Sequence, residues 1–121
     1  MRNRSDRFCF ASGAGLAALG VVLGAFAAHA LKARFGATEL GWWETGVRYQ
    51  MWSAVGLVAL ASVQGMRRGG VLVFAGTLVF SGSLYLMALT GVRALGAVTP
   101  IGGALMIAGW AIVAWKALRL D

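Results

Sequence analysis

Histidine, cysteine and proline each occur only once in this 121-residue chain, as His29, Cys9 and Pro100. A lone cysteine excludes a disulfide within the chain and a metal site built from several cysteines. A lone histidine with no second metal-binding side chain beside it does not make a zinc site. No nucleophile motif accompanies it either, since Ser81 and Ser83 lack a neighbouring histidine. We therefore expect no metal, no cofactor and no enzymatic activity.

Charged side chains are also scarce. They make up 12% of the residues, whereas 60% are hydrophobic, and the mean hydropathy is +0.77. Soluble domains usually carry about 25% charged residues. Because this chain has too little polar surface to cover a water-soluble globule, we assign it to the integral membrane proteins.

The net charge of +7 does not indicate a nucleic-acid partner. The basic residues form short clusters between apolar stretches instead of one face or one long run. Such clusters are typical of the ends of membrane spans. The expected partners are the lipid bilayer and either another membrane protein or further copies of this chain.

Four apolar stretches approach the length of about 20 residues that a membrane-spanning helix needs. They cover residues 8–31, 47–64, 71–89 and 99–115. The connections after the second and third stretches are short, so neighbouring helices are expected to run antiparallel. The sequence thus predicts a single all-α domain over residues 1–121, an antiparallel bundle of four transmembrane helices.

The basic residues predict how this bundle sits in the membrane. Cytoplasmic loops are enriched in Lys and Arg. One side of the predicted bundle carries Arg2, Arg4, Arg7, Arg67, Arg68, Lys116 and Arg119. The other side carries Lys32, Arg34, Arg48 and Arg93. We therefore expect both termini to face the cytoplasm of a bacterium, with the chain in its inner membrane.

Local signals place the ends of two helices. Thr99 and Pro100 are typical of an N-cap followed by the first helical position, and the alternative is a proline kink in a longer fourth helix that begins near Ala94. Thr38 is a candidate cap for a second helix that starts before the membrane. Glu44 and Arg48 are spaced for an ion pair on that helix.

Small residues predict where the helices pack, because close approach of backbones drives helix association in lipid. In the first helix the expected contact residues are Gly13, Ala17, Gly20 and Gly24, and Gly20 with Gly24 forms a GxxxG motif. In the fourth helix they are Gly102, Gly103 and Gly109. In the third helix the hydroxyls of Ser81, Ser83 and Tyr85 are expected mainly to bond to nearby carbonyls.

His29 follows the long apolar run. It could mark a cleavage site or, if the segment is retained, serve one of three roles. Ala28-His29-Ala30 resembles a cleavage site, but an apolar run of about 20 residues is too long for a signal peptide, so we expect the segment to be retained. The favoured interpretation is a hydrogen-bonded clasp between the first and second helices. The others are a titrating or ligand-binding group and a metal ligand. The candidate polar cluster comprises His29, Glu44, Arg48, Tyr49, Gln50, Ser81, Ser83 and Tyr85.

Four ordered motifs carry a resemblance to a known family: LGAFAAHALK (23–32), WWETGVRYQ (42–50), FSGSLYLMAL (80–89) and VTPIGG (98–103). They resemble the motifs of the YgdD/YwdK-like family of small bacterial inner-membrane proteins. The resemblance implies four membrane helices and no known activity. Two departures are Ala27 in place of a family glycine and Ser53 in place of a family histidine, so a two-histidine site is not implied here.

The sequence favours a structural role. Tight glycine faces, minimal loops and the lack of a soluble domain predict an accessory or scaffold subunit that packs against a membrane partner. The alternative is a small transporter, channel or lipid-binding protein that uses His29, Arg48 and the hydroxyls of the third helix. A membrane enzyme is the third possibility.

Overall fold

The computed structural model describes residues 6–120 and contains four α-helices in this range. They are α1 (Arg7–His29), α2 (Ala37–Leu60), α3 (Arg67–Thr90) and α4 (Thr99–Leu118). Two short 3₁₀ segments, Leu31–Ala33 and Arg93–Ala97, lie in the first and third connections. The described part of the chain is therefore all-helical.

The helices pack mainly against their neighbours in the chain. The largest interface joins α3 to α4, followed by α1 with α2 and α2 with α3. Helix α1 also touches α3, whereas α4 packs mainly against α3. Helix α3 is thus the centre of the structure, with the α1–α2 pair on one side and α4 on the other.

Three segments of residues 6–120 are long and apolar enough to cross a membrane: Arg7–His29, Arg67–Thr90 and Arg93–Leu118. The second predicted span is not among them. Helix α2 begins with a polar half that carries Glu39, Glu44 and Arg48. The part of α2 that follows Arg48 ends at Leu60, and it is shorter than the roughly 20 residues that a full span needs.

Several predicted boundaries need correction. Helix α1 ends at His29, because a 3₁₀ turn follows instead of a further helical turn. Helix α2 covers Ala37–Leu60 and not residues 47–64, and α3 begins at Arg67. The N-cap of α2 is Gly36, so Thr38 lies inside the helix and does not cap it.

The structure also decides between the two interpretations of the single proline. Helix α4 begins at Thr99 after the 3₁₀ segment Arg93–Ala97, and its N-cap residue is Val98. Pro100 therefore lies in the first helical turn, where its missing N–H removes no helical hydrogen bond. It does not kink a helix that starts at Ala94, and Thr99 is the first helical residue instead of the cap.

Two pairs of glycines bring α3 and α4 into backbone contact. A Cβ atom on Gly69 would lie 2.8 Å from the Gly109 carbonyl oxygen, and one on Gly109 would lie 2.7 Å from the Gly69 oxygen. Gly76 and Gly102 show the same reciprocal relation, each 2.7 Å from the other's carbonyl oxygen. No larger residue fits at these four positions without moving the backbone.

In the α1–α2 contact one glycine meets backbone, and two others meet side chains. A Cβ on Gly13 would lie 2.7 Å from the Ala54 carbonyl oxygen, whereas one on Gly20 would overlap the flexible Met51 side chain. Gly24 has more room, because its nearest neighbour, a Val47 methyl group, would be 3.4 Å away. Ala17 packs at the edge of the apolar core. The close contact at Gly20–Gly24 is therefore with side chains.

The connections are fixed at a few points. Gly65 in the α2–α3 turn and Gly91 at the C-cap of α3 have φ values of 82° and 73°, which L-residues with a side chain rarely adopt. The Asp6 carboxylate accepts hydrogen bonds from the Cys9 amide and from Arg67 Nε, both at 3.0 Å. The Asp6 amide donates to the Ala61 carbonyl at 2.8 Å. Asp6 thus joins the ends of three helices.

Candidate functional site

The predicted polar cluster does not exist as one site. His29, Glu44 and Arg48 are exposed, and within residues 6–120 no side-chain hydrogen bond or ion pair involves them. The expected Glu44–Arg48 pair is therefore not formed in the described part of the chain, where Arg67–Asp6 is the ion pair found. The expected clasp between His29 and the start of α2 is likewise not formed.

Trp43 and Gln50 make the α1–α2 connection that was expected of His29. The Trp43 indole Nε1 donates to the Leu23 carbonyl at 3.0 Å. The Gln50 side chain, 2% exposed, donates through Nε2 to the Leu16 carbonyl at 2.9 Å. Both donors reach carbonyls inside α1, whereas His29 lies at the last position of that helix and faces outward.

Gln50 also connects α2 to α3. The Tyr85 hydroxyl donates to Gln50 Oε1 at 2.6 Å, so this one amide links α1, α2 and α3. The Tyr85 ring lies against Gly46, where a Cβ would be 2.7 Å from ring atom Cε1. It also packs on the Trp43 ring with 4.7 Å between centroids. Glycine at position 46 leaves the space that Tyr85 needs to reach Gln50.

The hydroxyls of α3 bond to nearby groups. Ser81 Oγ donates to the Gly46 carbonyl of α2 at 2.7 Å. Ser83 Oγ donates to the Phe80 carbonyl at 2.9 Å and lies 2.5 Å from Thr99 Oγ1, which ties α3 to the start of α4. Ser81 thus bonds to a carbonyl of α2, and Ser83 bonds to a carbonyl of its own helix. A cavity of about 170 Å³ lies beside Gln50, Ser81 and Tyr85, and His29 does not line it.

A larger cavity lies elsewhere, in a groove between α2 and α4 with α3 at its base. Its volume is about 880 Å³. We call it the α2–α4 groove, and its lining residues are Tyr49, Trp52, Ser53, Phe80, Gly103, Met106, Ile107, Trp110 and Ala111. The lining is almost entirely apolar and aromatic. The described structure therefore has an apolar groove between α2 and α4.

Aromatic rings form the walls of the groove. The Tyr49 ring lies 4.9 Å from Trp52 and 4.9 Å from Phe80 between centroids. Trp110 of α4 reaches across to α2, where a Cβ on Gly56 would be 2.7 Å from its ring. The side chain of Trp110 thus bridges the two helices at one end, while the rest of the groove stays open.

Ser53 lines this groove with a buried hydroxyl that lacks a partner among the described residues. It is 1% exposed, and its Oγ has no hydrogen-bond partner among the described residues. A buried hydroxyl without a partner costs about 1–3 kcal/mol. Ser53 was noted in the sequence only as a departure from a family pattern, and neither Trp52 nor Trp110 was singled out. Trp52 lies three residues after Tyr49 and four before Gly56, on one face of α2, and this spacing was the available signal.

Among residues 6–120 no group of three or more His, Cys, Asp or Glu side chains could hold a metal ion. Cys9 is buried at the contact of α1, α2 and α3, within the apolar core that includes Leu57 and Val73. A Cβ on Gly70 would lie 2.6 Å from its sulfur. Cys9 therefore fills space in the described core.

Comparison with known proteins identifies a family and several relatives. The family described as "Protein of unknown function (DUF423)" matches residues 23–103. The UPF0382 inner membrane protein YgdD of Escherichia coli (strain K12) and the protein of the same name from Shigella flexneri are similar to this chain. Each is 46% identical over 41 residues, which is 34% of this chain and 31% of the relative. The match thus spans about a third of the curated relatives' length. No solved structure matches.

Proposed function

This chain belongs to the DUF423 family of proteins of unknown function, and we propose that it is an accessory subunit that docks a transmembrane helix of a partner protein. The chain is a multi-pass inner-membrane protein, as its relatives' name and its three membrane-length segments indicate. The proposed docking site is the α2–α4 groove. The observation that carries the proposal is this groove with the unpartnered Ser53 hydroxyl in its lining.

The free surface of α4 supports docking there. In the most apolar stretch of the Arg67–Thr90 span, 44% of the residues are buried inside the protein. In the corresponding stretch of the Arg93–Leu118 span, the buried share is 17%. Helix α4 therefore leaves most of its surface for other contacts. In lipid, helices associate through close packing at small residues, and α4 presents Gly103 and Ala111 to the groove.

A protein helix satisfies the groove better than a lipid acyl chain. An acyl chain offers no acceptor for the Ser53 hydroxyl in the membrane interior. A transmembrane helix offers backbone carbonyls and polar side chains, and interhelical hydrogen bonds in membranes are worth about 0.6 kcal/mol on average. Trp52 and Phe80 supply broad apolar contact area beside that bond.

We also propose the orientation and the role of α2. Both termini face the cytoplasm, following the distribution of Lys and Arg. Helix α2 crosses the membrane as a fourth span, supported by its packing between α1 and α3, which are both long enough to span. Its polar outer half then lies at the membrane surface. The chain has no enzymatic role in this proposal.

The orientation can be tested by labelling single cysteines. Cysteines at Gln64, in the exposed α2–α3 turn, and at Thr38, near the start of α2, should react from opposite faces of intact cells. Position 64 should be protected from an impermeant reagent until the membrane is opened. Labelling of both positions from outside would contradict the orientation or the fourth span. The native Cys9 is buried and gives little background.

The docking site can be tested by photo-crosslinking in cells. A photoreactive residue at Ile107, which lines the groove and is 72% exposed, should give one discrete adduct with another membrane protein. The matched control is Val55 on α2, which is 63% exposed and does not line the groove. Equal adducts at both positions, or only lipid adducts at Ile107, would contradict the proposal.

Blocking the groove should abolish that adduct. Gly103→Leu is suited to this, because a Cβ there meets nothing closer than the Phe80 ring at 3.7 Å and the side chain extends into the groove. Gly15→Leu is the control, since Gly15 is exposed with no atom within 4 Å of the added Cβ. A persistent adduct in Gly103→Leu would show that the partner binds elsewhere. An adduct between copies of this chain would replace the foreign partner by a homo-oligomer.

The transporter alternative has less support. It requires His29 and Arg48 to share a polar path with Ser81. The first two side chains are exposed, whereas Ser81 Oγ is buried and bonded to the Gly46 carbonyl. Gln50 and Tyr85 also use their polar atoms on each other. The buried groups, Gln50, Ser81 and Tyr85, are thus engaged in holding the helices together, and the exposed His29 and Arg48 do not join them in one polar path.

A further inference from the structure

A second cavity, of about 560 Å³, lies between the α2–α3 turn and the last turns of α4. We call it the basic pocket, because three cationic side chains line it: Arg68, Lys116 and Arg119. No acidic side chain of the described residues lines it. It shares no lining residue with the α2–α4 groove, so a ligand bound in the basic pocket is independent of the proposed function.

Two of the cations are held in place by contacts that leave their charge free. Lys116 Nζ donates to the Gly65 carbonyl at 2.7 Å, which fixes the ammonium group at the turn and leaves further N–H donors. The Arg119 guanidinium lies 5.2 Å over the Trp115 ring. Neither contact neutralises the cation, and a cation over an aromatic face keeps its N–H edge available.

The neighbouring arginines Arg67 and Arg68 differ in whether they form an ion pair within residues 6–120. Arg67 pairs with Asp6 at 3.0 Å and thereby connects α3 to the start of α1. Arg68 makes no ion pair within residues 6–120 and lines the basic pocket. One arginine therefore serves the fold, and the next brings to the pocket a charge that no acidic side chain of residues 6–120 pairs with.

The pocket lies where lipid headgroups are found. It is at the C-terminal end of the Arg93–Leu118 span and at the start of the Arg67–Thr90 span. Trp115, 61% exposed, is typical of an aromatic residue at the membrane boundary. The apolar side chains of Ile112 and Leu120 line the same pocket. Cations on one side and apolar surface on the other match a molecule with an anionic head and hydrocarbon tails.

We propose that the basic pocket binds the phosphate-containing headgroup of an anionic phospholipid. Arg68 and Arg119 approach the phosphate oxygens through their planar N–H groups, and Lys116 contributes a point charge. Basic pockets between membrane helices bind anionic headgroups in this way. If the basic residues served only to orient the chain, they would give no preference for a lipid beyond that of an equal charge elsewhere on the chain.

The test compares two triple variants of equal charge. The pocket variant is Arg68→Gln with Lys116→Gln and Arg119→Gln. The control variant is Lys32→Gln with Arg34→Gln and Arg93→Gln, at the other end of the bundle, and it includes a matching stacked arginine, since Arg93 lies 5.4 Å over the Trp42 ring. Each full-length protein in detergent is titrated with phosphatidylglycerol or phosphatidylcholine, and bound lipid is counted by native mass spectrometry.

We expect the wild type and the control variant to retain phosphatidylglycerol about tenfold better than phosphatidylcholine. The pocket variant should bind both lipids alike. Raising the salt concentration should reduce the preference, because exposed charges are screened. An unchanged preference in the pocket variant would overturn the proposal, and so would an equal loss in both variants, which would indicate a net-charge effect.

Two further arms keep the result unambiguous. Soluble glycerol 3-phosphate at the same concentration should not displace the lipid, and full displacement would show that a free phosphate compound is the ligand. If the triple pocket variant does not fold, Arg119→Gln replaces it, because Arg119 is exposed at the end of α4. This single variant should lower the preference about threefold, and no change would overturn the proposal.

Discussion

The two interfaces of the central helix α3 are held together by different means. Towards α2, side chains donate hydrogen bonds: Ser81 to the Gly46 carbonyl at 2.7 Å and Tyr85 to Gln50 at 2.6 Å. Towards α4, glycines at positions 69, 76, 102 and 109 let the backbones touch. Thr99 adds a side-chain contact with Ser83 near the start of α4.

The difference has a physical basis in the membrane. Lipid tails are as apolar as leucine, so apolar side chains alone give little net force between helices. Backbone contact at glycine gains dispersion energy over a long interface but offers little directional specificity. Buried hydrogen bonds fix register and geometry. Polar bonds therefore dominate the contact of α3 with α2. Helix α4 is attached mainly by backbone contact at glycines, with single polar bonds near its two ends.

Gly76→Leu should give the largest effect, because it breaks the shape-based interface. The Cβ would lie 2.7 Å from the Gly102 carbonyl oxygen and from the Met106 amide nitrogen, both backbone atoms that cannot move aside. Overpacking of this kind costs about 3 kcal/mol or more at such a site. The measurement is thermal unfolding in detergent, with Gly15→Leu as the control. Equal stability of the two variants would show that the α3–α4 contact is not close.

Gln50→Leu should have the next largest effect, because it removes the amide that joins three helices. It leaves the Tyr85 hydroxyl without its acceptor, and we expect a loss of about 1–2 kcal/mol. A double-mutant cycle with Tyr85→Phe isolates the bond, for which a coupling of about 0.5–1.7 kcal/mol is expected. Additive effects of the two substitutions would contradict a direct bond between Gln50 and Tyr85.

Asp6→Ala should cost about 1 kcal/mol at neutral pH, because Asp6 caps α1. The Cys9 amide and the Arg67 guanidinium lower the pKa of the Asp6 carboxyl below its ordinary value of 3.8. A lowered folded-state pKa means that this stabilisation is complete above the unfolded-state pKa and is lost as the pH falls through the folded-state one.

The check is the difference in unfolding free energy between wild type and Asp6→Ala as the pH is lowered. It should stay constant down to the ordinary carboxyl pKa and shrink below it. Glu44→Ala serves as the control, because Glu44 is exposed and makes no ion pair within residues 6–120. A difference that grows on acidification would contradict the capping role of the Asp6 carboxylate.

His29→Ala should give the smallest effect. The imidazole is exposed and makes no hydrogen bond among the described residues, so the stability should change by less than about 0.5 kcal/mol. Melting curves of wild type and variant in detergent should coincide at neutral pH. A clear loss of stability in the variant would restore the clasp that the sequence suggested.

The sequence was a good guide to features set by periodicity and composition. Long apolar runs predicted the helices, and Gly102 and Gly109 were identified as contact residues. The seven-residue spacing from Gly69 to Gly76 matches that from Gly102 to Gly109 and could have identified the partner surface on α3. Pairing two helices in register requires knowing which ones meet, which no single segment reveals.

The site was harder to predict, because polar side chains were taken as the sign of a functional site. His29, Glu44 and Arg48 are polar residues close to the α1–α2 connection, yet all three are exposed on the surface of the protein. The groove at Trp52 and Trp110 is a property of the space between helices. It depends on α4 packing mainly against α3, so that α2 and α4 stay apart except at Trp110 and Gly56, and only the folded structure contains that information.

The proposed function requires that α4 leaves the α2–α4 groove open for a partner helix. The most direct measurement is the mass of the assembly extracted gently from native membranes, for wild type and Gly103→Leu side by side. We predict that the wild type carries one further membrane-protein chain and that Gly103→Leu, while still folded, is found without it. A wild type extracted as a bare monomer, or a Gly103→Leu variant that keeps the same partner, would contradict the docking of a partner helix in the α2–α4 groove.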